Sequence, residues 1–250
     1  VPVATRAGEG FVPSIEAVTA AITPRTRALV LINPNNPTGA VYPDDHIREL
    51  IELAVERDLW ILSDQTYHEL HFGASPSLSP AAVATARDRV VTVCSFSKSL
   101  GLAGWRLGFL ACQGSLVDEI LKIQDCSIIS AARAGQEGLL AALPEIGEHV
   151  TLVRSALRER RDRLVAALHH AGLNEFLDPE GSLFLFLRLS GVKDSLAFCH
   201  RLLGEQHVVA VPGSAFGPGG ESSIRLSFGS SASEHLEEAA RRIATSIEDI

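Results

Sequence analysis

The stretch Ser95-Phe96-Ser97-Lys98-Ser99-Leu100-Gly101-Leu102-Ala103-Gly104-Trp105-Arg106 sets one lysine among small hydroxyl residues, just after an apolar run and with an arginine eight positions on. A lysine amine that is partly desolvated and close to another cation gives up its proton more readily. It then becomes a nucleophile able to form a Schiff base with an aldehyde. Ser95 and Arg106 are the kinds of group that bind phosphate. A phosphorylated aldehyde that bonds covalently to lysine is pyridoxal phosphate, and the rest of the chain must supply the groups such a molecule needs.

In open parallel sheets, ligands bind beyond the carboxyl ends of the strands. Asn33-Pro34-Asn35-Asn36-Pro37-Thr38-Gly39 follows the strand-like run Ala28–Ile32, and Asp64-Gln65-Thr66-Tyr67 follows Trp60–Ser63. The lysine segment follows Val90–Cys94, and Arg225 lies inside the last strand-like run, Ser223–Phe228. Singly, each has an ordinary explanation. Asn-Pro runs make turns, an Asp at a strand end caps or turns the chain, and Tyr67 suits a half-buried position with its hydroxyl satisfied. An isolated arginine such as Arg225 pairs with a structural carboxylate. Three such clusters after three successive strand-like runs are much harder to attribute to chance.

The elements that must position these groups alternate strand and helix, which predicts an α/β fold with a mainly parallel sheet flanked by helices. Ala28–Ile32 is wholly apolar, as expected of a buried parallel strand. A helix is expected from Asp44 to Asp58, with Ile47, Leu50, Ile51, Ala54 and Val55 at helical spacing. Strands are expected at Trp60–Ser63, Arg89–Phe96 and Leu107–Cys112. From Ser115 to Ala171 the pattern is helical, broken at Pro144 and stopped at Gly172. A second alternation follows: strand Leu183–Leu189, helix Asp194–Glu205, strands Val208–Val211 and Ser223–Phe228. The final helix opens at Ser231, where Ser231 and Glu234 make a capping-box pattern. These elements predict a boundary on the long helix, with residues 1–155 in a larger domain and 156–250 in a smaller α+β domain.

Taken in order, N-P-N-N-P-T-G, D-Q-T-Y, S-F-S-K-S-L-G-L-A-G-W-R-L-G and I-R-L-S-F resemble the fold-type I pyridoxal-phosphate aminotransferases, class I/II. Val211-Pro212-Gly213-Ser214-Ala215-Phe216-Gly217 resembles that family's small domain, and the likeness covers nearly the whole chain. The resemblance implies that Lys98 forms the Schiff base with pyridoxal 5'-phosphate and later shuttles a proton between substrate and cofactor carbons. Asp64 matches the carboxylate that pairs with the pyridine nitrogen; it would keep the ring protonated and able to accept electrons. Asn36 and Tyr67 match the residues that hydrogen-bond the ring's phenolic oxygen. Ser95 and Arg106, assisted by Ser97, match phosphate ligands. Arg225 matches the arginine that holds the substrate α-carboxylate, for which its planar fork is suited; Asn36 is assigned to the substrate as well. Leu183-Phe184 replaces an aromatic pair often seen after the glycine at Gly181, a change expected to alter the substrate pocket. Arg133 could reach a substrate side-chain carboxylate, but it is expected instead to be a helix-surface or dimer-contact arginine.

The expected activity is transfer of an amino group from an α-amino acid to a 2-oxo acid. Lyase or decarboxylase chemistry on the same scaffold is the alternative, and so is an aminotransferase-like effector domain of a transcription regulator. A homodimer is implied by the resemblance only. A net charge of −8 argues against a nucleic-acid surface, and the short Arg158-Glu159-Arg160-Arg161 run is expected to be a solvated helix face. The four scattered cysteines form no C-x-x-C pair or metal-ligand cluster and read as reduced core thiols of a cytoplasmic protein. No metal site and no membrane-spanning run is expected. The chain has no methionine and opens on Val1-Pro2-Val3. It is therefore expected to be a fragment; the resemblance implies that a phosphate-binding loop, a ring-stacking aromatic and a tyrosine reaching the partner subunit precede it, and that it is incomplete and inactive alone.

Overall fold

Ala28–Ile32 forms the first strand, β1, to which two further strands are added in parallel and a fourth antiparallel. In the computed structural model, which describes residues 1–230 and 232–248, contacts divide the chain into two compact units. One comprises Val18–Pro34 and Val41–Arg154; the other comprises Val1–Ala17, Asn35–Ala40 and Ser155–Ile250. In chain order the helices are α1 (Ile15–Ala21), α2 (Asp44–Glu56), α3 (Phe96–Ser99), α4 (Gly114–Ser127), α5 (Arg133–Ala142), α6 (Ile146–His170), α7 (Ser195–Gln206) and α8 (Ser233–Glu248). The strands are β1, β2 (Trp60–Asp64), β3 (Val90–Ser95), β4 (Gly108–Ala111), β5 (Phe184–Arg188), β6 (Val211–Pro212) and β7 (Ser223–Ser227).

The first unit is built on a four-stranded sheet ordered β1-β2-β3-β4. β1 and β2 pair in parallel with Ile32 beside Asp64, and β2 and β3 pair in parallel with Asp64 beside Val93. β4 is antiparallel to β3, with Ser95 opposite Gly108. α2 packs on β2 and buries Ile47, Leu50, Ile51, Leu53 and Ala54. Burying each of its large aliphatic side chains stabilises the unit by about 1.5–3 kcal/mol. The expectation of a buried first strand needs correction. β1 lies at a sheet edge, only Leu31 is buried, and Val30 is 60% exposed.

The second unit carries an antiparallel sheet ordered β5-β7-β6. One face of it, made by Leu185, Leu187, Ile224 and Leu226, is buried. α7 packs on β6 and β7, and α8 on α7. α8 buries Leu236, Ala240 and Ile243, a spacing that keeps one stripe inward. α7 starts at Asp194, whose Oδ1 accepts from the N–H groups of Leu196 and Ala197 at 3.0 Å each. The expected strand Val208–Val211 shrinks to Val211–Pro212, and Val209 is 77% exposed. The expected capping box cannot be followed, because Ser231 lies outside the described residues. The arginine run on α6 is not simply a solvated face. Arg160 donates to the Gly229 carbonyl at 2.7 Å and Arg161 to the Pro179 carbonyl at 2.8 Å.

The cysteines are all free, but only Cys199 is buried, its thiol pushed up to about 11 by desolvation. Cys126 is exposed, so it is not a core thiol. Among the described residues no helix is long and apolar enough to cross a membrane, and no group of His, Cys, Asp and Glu side chains could hold a metal ion.

His71 is a titratable group in the core of the first unit, 2% exposed, whose Nε2 accepts a short hydrogen bond from Arg154 Nη1. Burial first, then the charges of Arg154 and His68, hold its pKa below 6.5, against opposing effects of Glu69 and the Gly73 carbonyl. The folded state therefore prefers neutral His71, whereas the unfolded chain takes up a proton near 6.5. Its contribution to stability is complete above that value and is lost as pH falls from 6.5 toward the lower folded value. Urea denaturation midpoints should fall as pH is lowered from about 7.5 to about 5.5. His71→Gln, which keeps an acceptor but does not titrate, should flatten that dependence; an unchanged slope would assign it to other groups.

Candidate active site

In the first unit, two neighbouring parallel strands end in polar residues on the same sheet edge. Asp64 is the last residue of β2 and Ser95 the last of β3. Parallel pairing dictates this, because it brings carboxyl ends together where apolar runs give way to polar groups. The Asp64 carboxylate is half-buried, and its Oδ1 accepts from the Thr66 N–H at 2.9 Å, so the turn after the strand orients it. Tyr67 is buried in that turn at 6% exposure.

Ser95 closes β3 and caps α3, its Oγ accepting from the Ser97 N–H at 3.2 Å. Lys98 follows within α3, and Ser95, Ser97 and Lys98 are all half-buried. Arg106 is exposed and adopts a left-handed conformation (φ 56°), with Nη1 donating to the Ala103 carbonyl at 2.8 Å. After it the chain returns as β4, and Gly108 lets that return pass close to β3. A Cβ at Gly108 would lie 2.6 Å from the Cys94 carbonyl oxygen. Six of the residues singled out in the sequence thus belong to this unit: Asp64, Tyr67, Ser95, Ser97, Lys98 and Arg106. A hollow lined by Cys94, Phe109, Leu110, Val117, Ile120 and Leu121 includes none of them. Arg133 stands at the start of α5 with its side chain 91% exposed and pairs with Glu137 at 3.4 Å.

The other two, Asn36 and Arg225, belong to the second unit and touch. Arg225 Nη1 donates to Asn36 Oδ1 at 2.9 Å. The loop carrying Asn36 is tied down in that unit by Gly39, whose carbonyl accepts from the N–H groups of Glu180 and Gly181. Gly39 has φ +73°, and a Cβ there would sit 2.7 Å from both the Phe184 carbonyl oxygen and the Pro179 Cβ. Only glycine fits that conformation and that approach. Phe184 and Phe216, not named as site residues from the sequence, lie against the guanidinium, with Cζ 4.0 Å and 5.0 Å from their ring centroids. The alternation of β5, which puts Phe184 and Phe186 on one face, is the sequence signal that could have found Phe184; none marks Phe216.

The model of the family described as aminotransferase class I and II matches residues 1–243. The chain is a member of the aminotransferase class I and II family. It is 35% identical over 249 residues to a probable aspartate/prephenate aminotransferase of Aquifex aeolicus, covering 97% of this chain and 62% of that one. It is 37% identical over 246 residues to the arginine–pyruvate transaminase of Pseudomonas aeruginosa, covering 98% and 62%. Among solved structures, the aromatic aminotransferase of Pyrococcus horikoshii superposes with a TM-score of 0.94 at 31% identity, over 100% of this chain and 67% of that one. The aspartate aminotransferase of Thermus thermophilus with maleate gives a TM-score of 0.91 at 35% identity, over 98% and 63%. The chain spans about three-fifths of the length of the curated relatives it matches. Enzymes of the aminotransferase class I and II family use pyridoxal 5'-phosphate. The chemistry of the donor set fits that group. A carboxylate ends one strand, and hydroxyls, an amine and a guanidinium follow the end of its neighbour.

Proposed function

We propose that the protein moves an amino group from an α-amino acid to a 2-oxo acid with pyridoxal 5'-phosphate as cofactor. The observation that carries this reading is the shared carboxyl edge of β2 and β3, with Asp64 ending one strand and Ser95 and Lys98 starting from the end of the other. Bound there, the cofactor supplies an electron sink for the charge left on the substrate α-carbon.

The chain's own residues supply the rest. Asp64 favours the protonated ring nitrogen by placing an opposite charge beside it. Ser95, Ser97 and Arg106 hold the phosphate, with charge-assisted hydrogen bonds from the guanidinium. Tyr67 would hydrogen-bond the phenolic oxygen; the same role is proposed for Asn36, whose amide nitrogen would serve it because its Oδ1 accepts from Arg225. Lys98 would hold the cofactor through its amine, and the same amine would take and return the proton at the substrate α-carbon. Arg225 grips the substrate α-carboxylate.

The same reading makes the protein a cytoplasmic homodimer. It assigns residues 1–155 to the latter part of the cofactor-binding domain and 156–250 to the small domain. The named relatives act on aspartate, prephenate, arginine or aromatic substrates, so their names support the reaction class rather than one amino acid.

The deciding assay follows products by NMR, using the full-length, cofactor-loaded protein with a panel of amino acids. Sustained formation of the 2-oxo acid should require a second 2-oxo acid as acceptor. Steady release of ammonia or carbon dioxide without an acceptor would replace transamination by lyase or decarboxylase chemistry. Absence of turnover together with specific DNA binding would replace it by a regulator's effector domain.

A further inference from the structure

Arg225 projects from the middle strand of the antiparallel sheet, opposite Phe186 on β5 and Val211 on β6. Residues two apart on a strand share a face, so Phe184 and Phe186 stand on the Arg225 face, while Leu185, Leu187, Ile224 and Leu226 turn to the buried one. The charged group therefore sits on an aromatic surface. Its Cζ is 4.0 Å from the Phe184 centroid and 5.0 Å from that of Phe216. The rings are themselves braced. Phe216 meets Phe186 edge-on at 6.1 Å and 89°, and Phe186 meets Phe11 at 6.2 Å and 75°.

We propose that Phe184 and Phe216 are positioning residues that hold the Arg225 guanidinium in place for the substrate carboxylate; this rests on the reading of Arg225 as the carboxylate-binding arginine. A cation–π contact attracts the guanidinium without accepting a hydrogen bond from it in the plane of its donors. The Asn36 amide oxygen sets the rotation of the plane by accepting from one of them, Nη1. An arginine that must be immobilised on binding lowers affinity, and one already stacked has lost that freedom beforehand. A ring face also attracts the cation without neutralising it, as a carboxylate would. The substrate's carboxylate thus meets a guanidinium whose position is already set.

The test uses the full-length holoenzyme with Phe184→Leu and Phe216→Leu, which keep apolar bulk and remove the ring faces. Two quantities are read: KM for the amino acid, and the inhibition constant of hydrocinnamate, an unreactive monocarboxylate. Both should rise about tenfold with kcat within about twofold of wild type, the signature of lost ground-state binding. Phe184→Tyr, which restores the ring face, should return wild-type values. Phe184 is buried, but Phe216 is 37% exposed, so its leucine variant keeps the test open if the first does not fold. Arg225→Lys in the same assay separates the two ideas. If it weakens hydrocinnamate binding while a folded leucine variant does not, the positioning role is overturned. If Arg225→Lys itself leaves hydrocinnamate binding unchanged, the carboxylate reading of Arg225 fails, and the proposal with it.

Discussion

Replacing Lys98 with alanine should lower amino-group transfer by about four orders of magnitude or more and remove the visible absorbance of the lysine-bound cofactor. Two separate tasks rest on one amine. In the proposed reaction it would be both the nucleophile that bonds the cofactor's aldehyde and the base that carries the proton on the substrate α-carbon. Alanine removes both. Lys98→Arg separates charge from nucleophilicity, since a guanidinium keeps its charge and does not give up a proton. It should be as inactive as the alanine variant. A small primary amine such as methylamine should recover part of the proton transfer in Lys98→Ala, because the missing group is then supplied from solution. Lys98 is half-buried in the short helix α3, where alanine is well tolerated, so the variant should fold and melt near wild type. An active Lys98→Ala protein with its visible band intact would sink the assignment.

The next-largest effect is expected at Asp64. Asp64→Asn keeps the shape and the oxygen that accepts from the Thr66 N–H at 2.9 Å, so the turn after β2 should be retained. What it removes is the negative charge. If the carboxylate pairs with the ring nitrogen as proposed, the ring would then lose its proton more easily and be a poorer electron sink. Fixed charges at positions where charge develops are worth roughly 3–4 kcal/mol, which corresponds to a fall in kcat of about a hundredfold to a thousandfold. Asp64→Ala should lose as much activity and also some stability, since the turn donor is then unsatisfied. Steady-state kinetics and denaturation measured together separate the two effects. Wild-type kcat in Asp64→Asn would show that the carboxylate has a structural task only.

These two residues were legible in the sequence because each lies at or just beyond the end of an apolar run whose composition dictates a strand. Wherever such a run ends in polar residues, the carboxyl edge of a sheet can be read off the chain. The helix Asp44–Glu56 was equally legible, from apolar residues at helical spacing behind two acidic residues. Strand direction was not. The segment between β3 and β4 holds only the four-residue α3 and a short 3-10 turn at Ala103–Trp105, and the strand that follows comes back antiparallel. A run of four residues carries no mark of its direction.

What the sequence by itself determined is which residue types stand at which strand ends: a carboxylate after one apolar run, an amine among hydroxyls after the next, an arginine within the last. These are local properties, set by composition and by periods of two or 3.6 residues. Only the tertiary structure decided that Asn35–Ala40 joins the unit of Ser155–Ile250, that Asn36 thereby meets Arg225, and that two phenylalanine rings lie against that guanidinium. Such contacts depend on strand register and on the close approach at Gly39. Both arise from distant parts of the chain packing together, and no local pattern records them. The lysine could be found from its neighbours in sequence, whereas the setting of Arg225 is a property of neighbours in space.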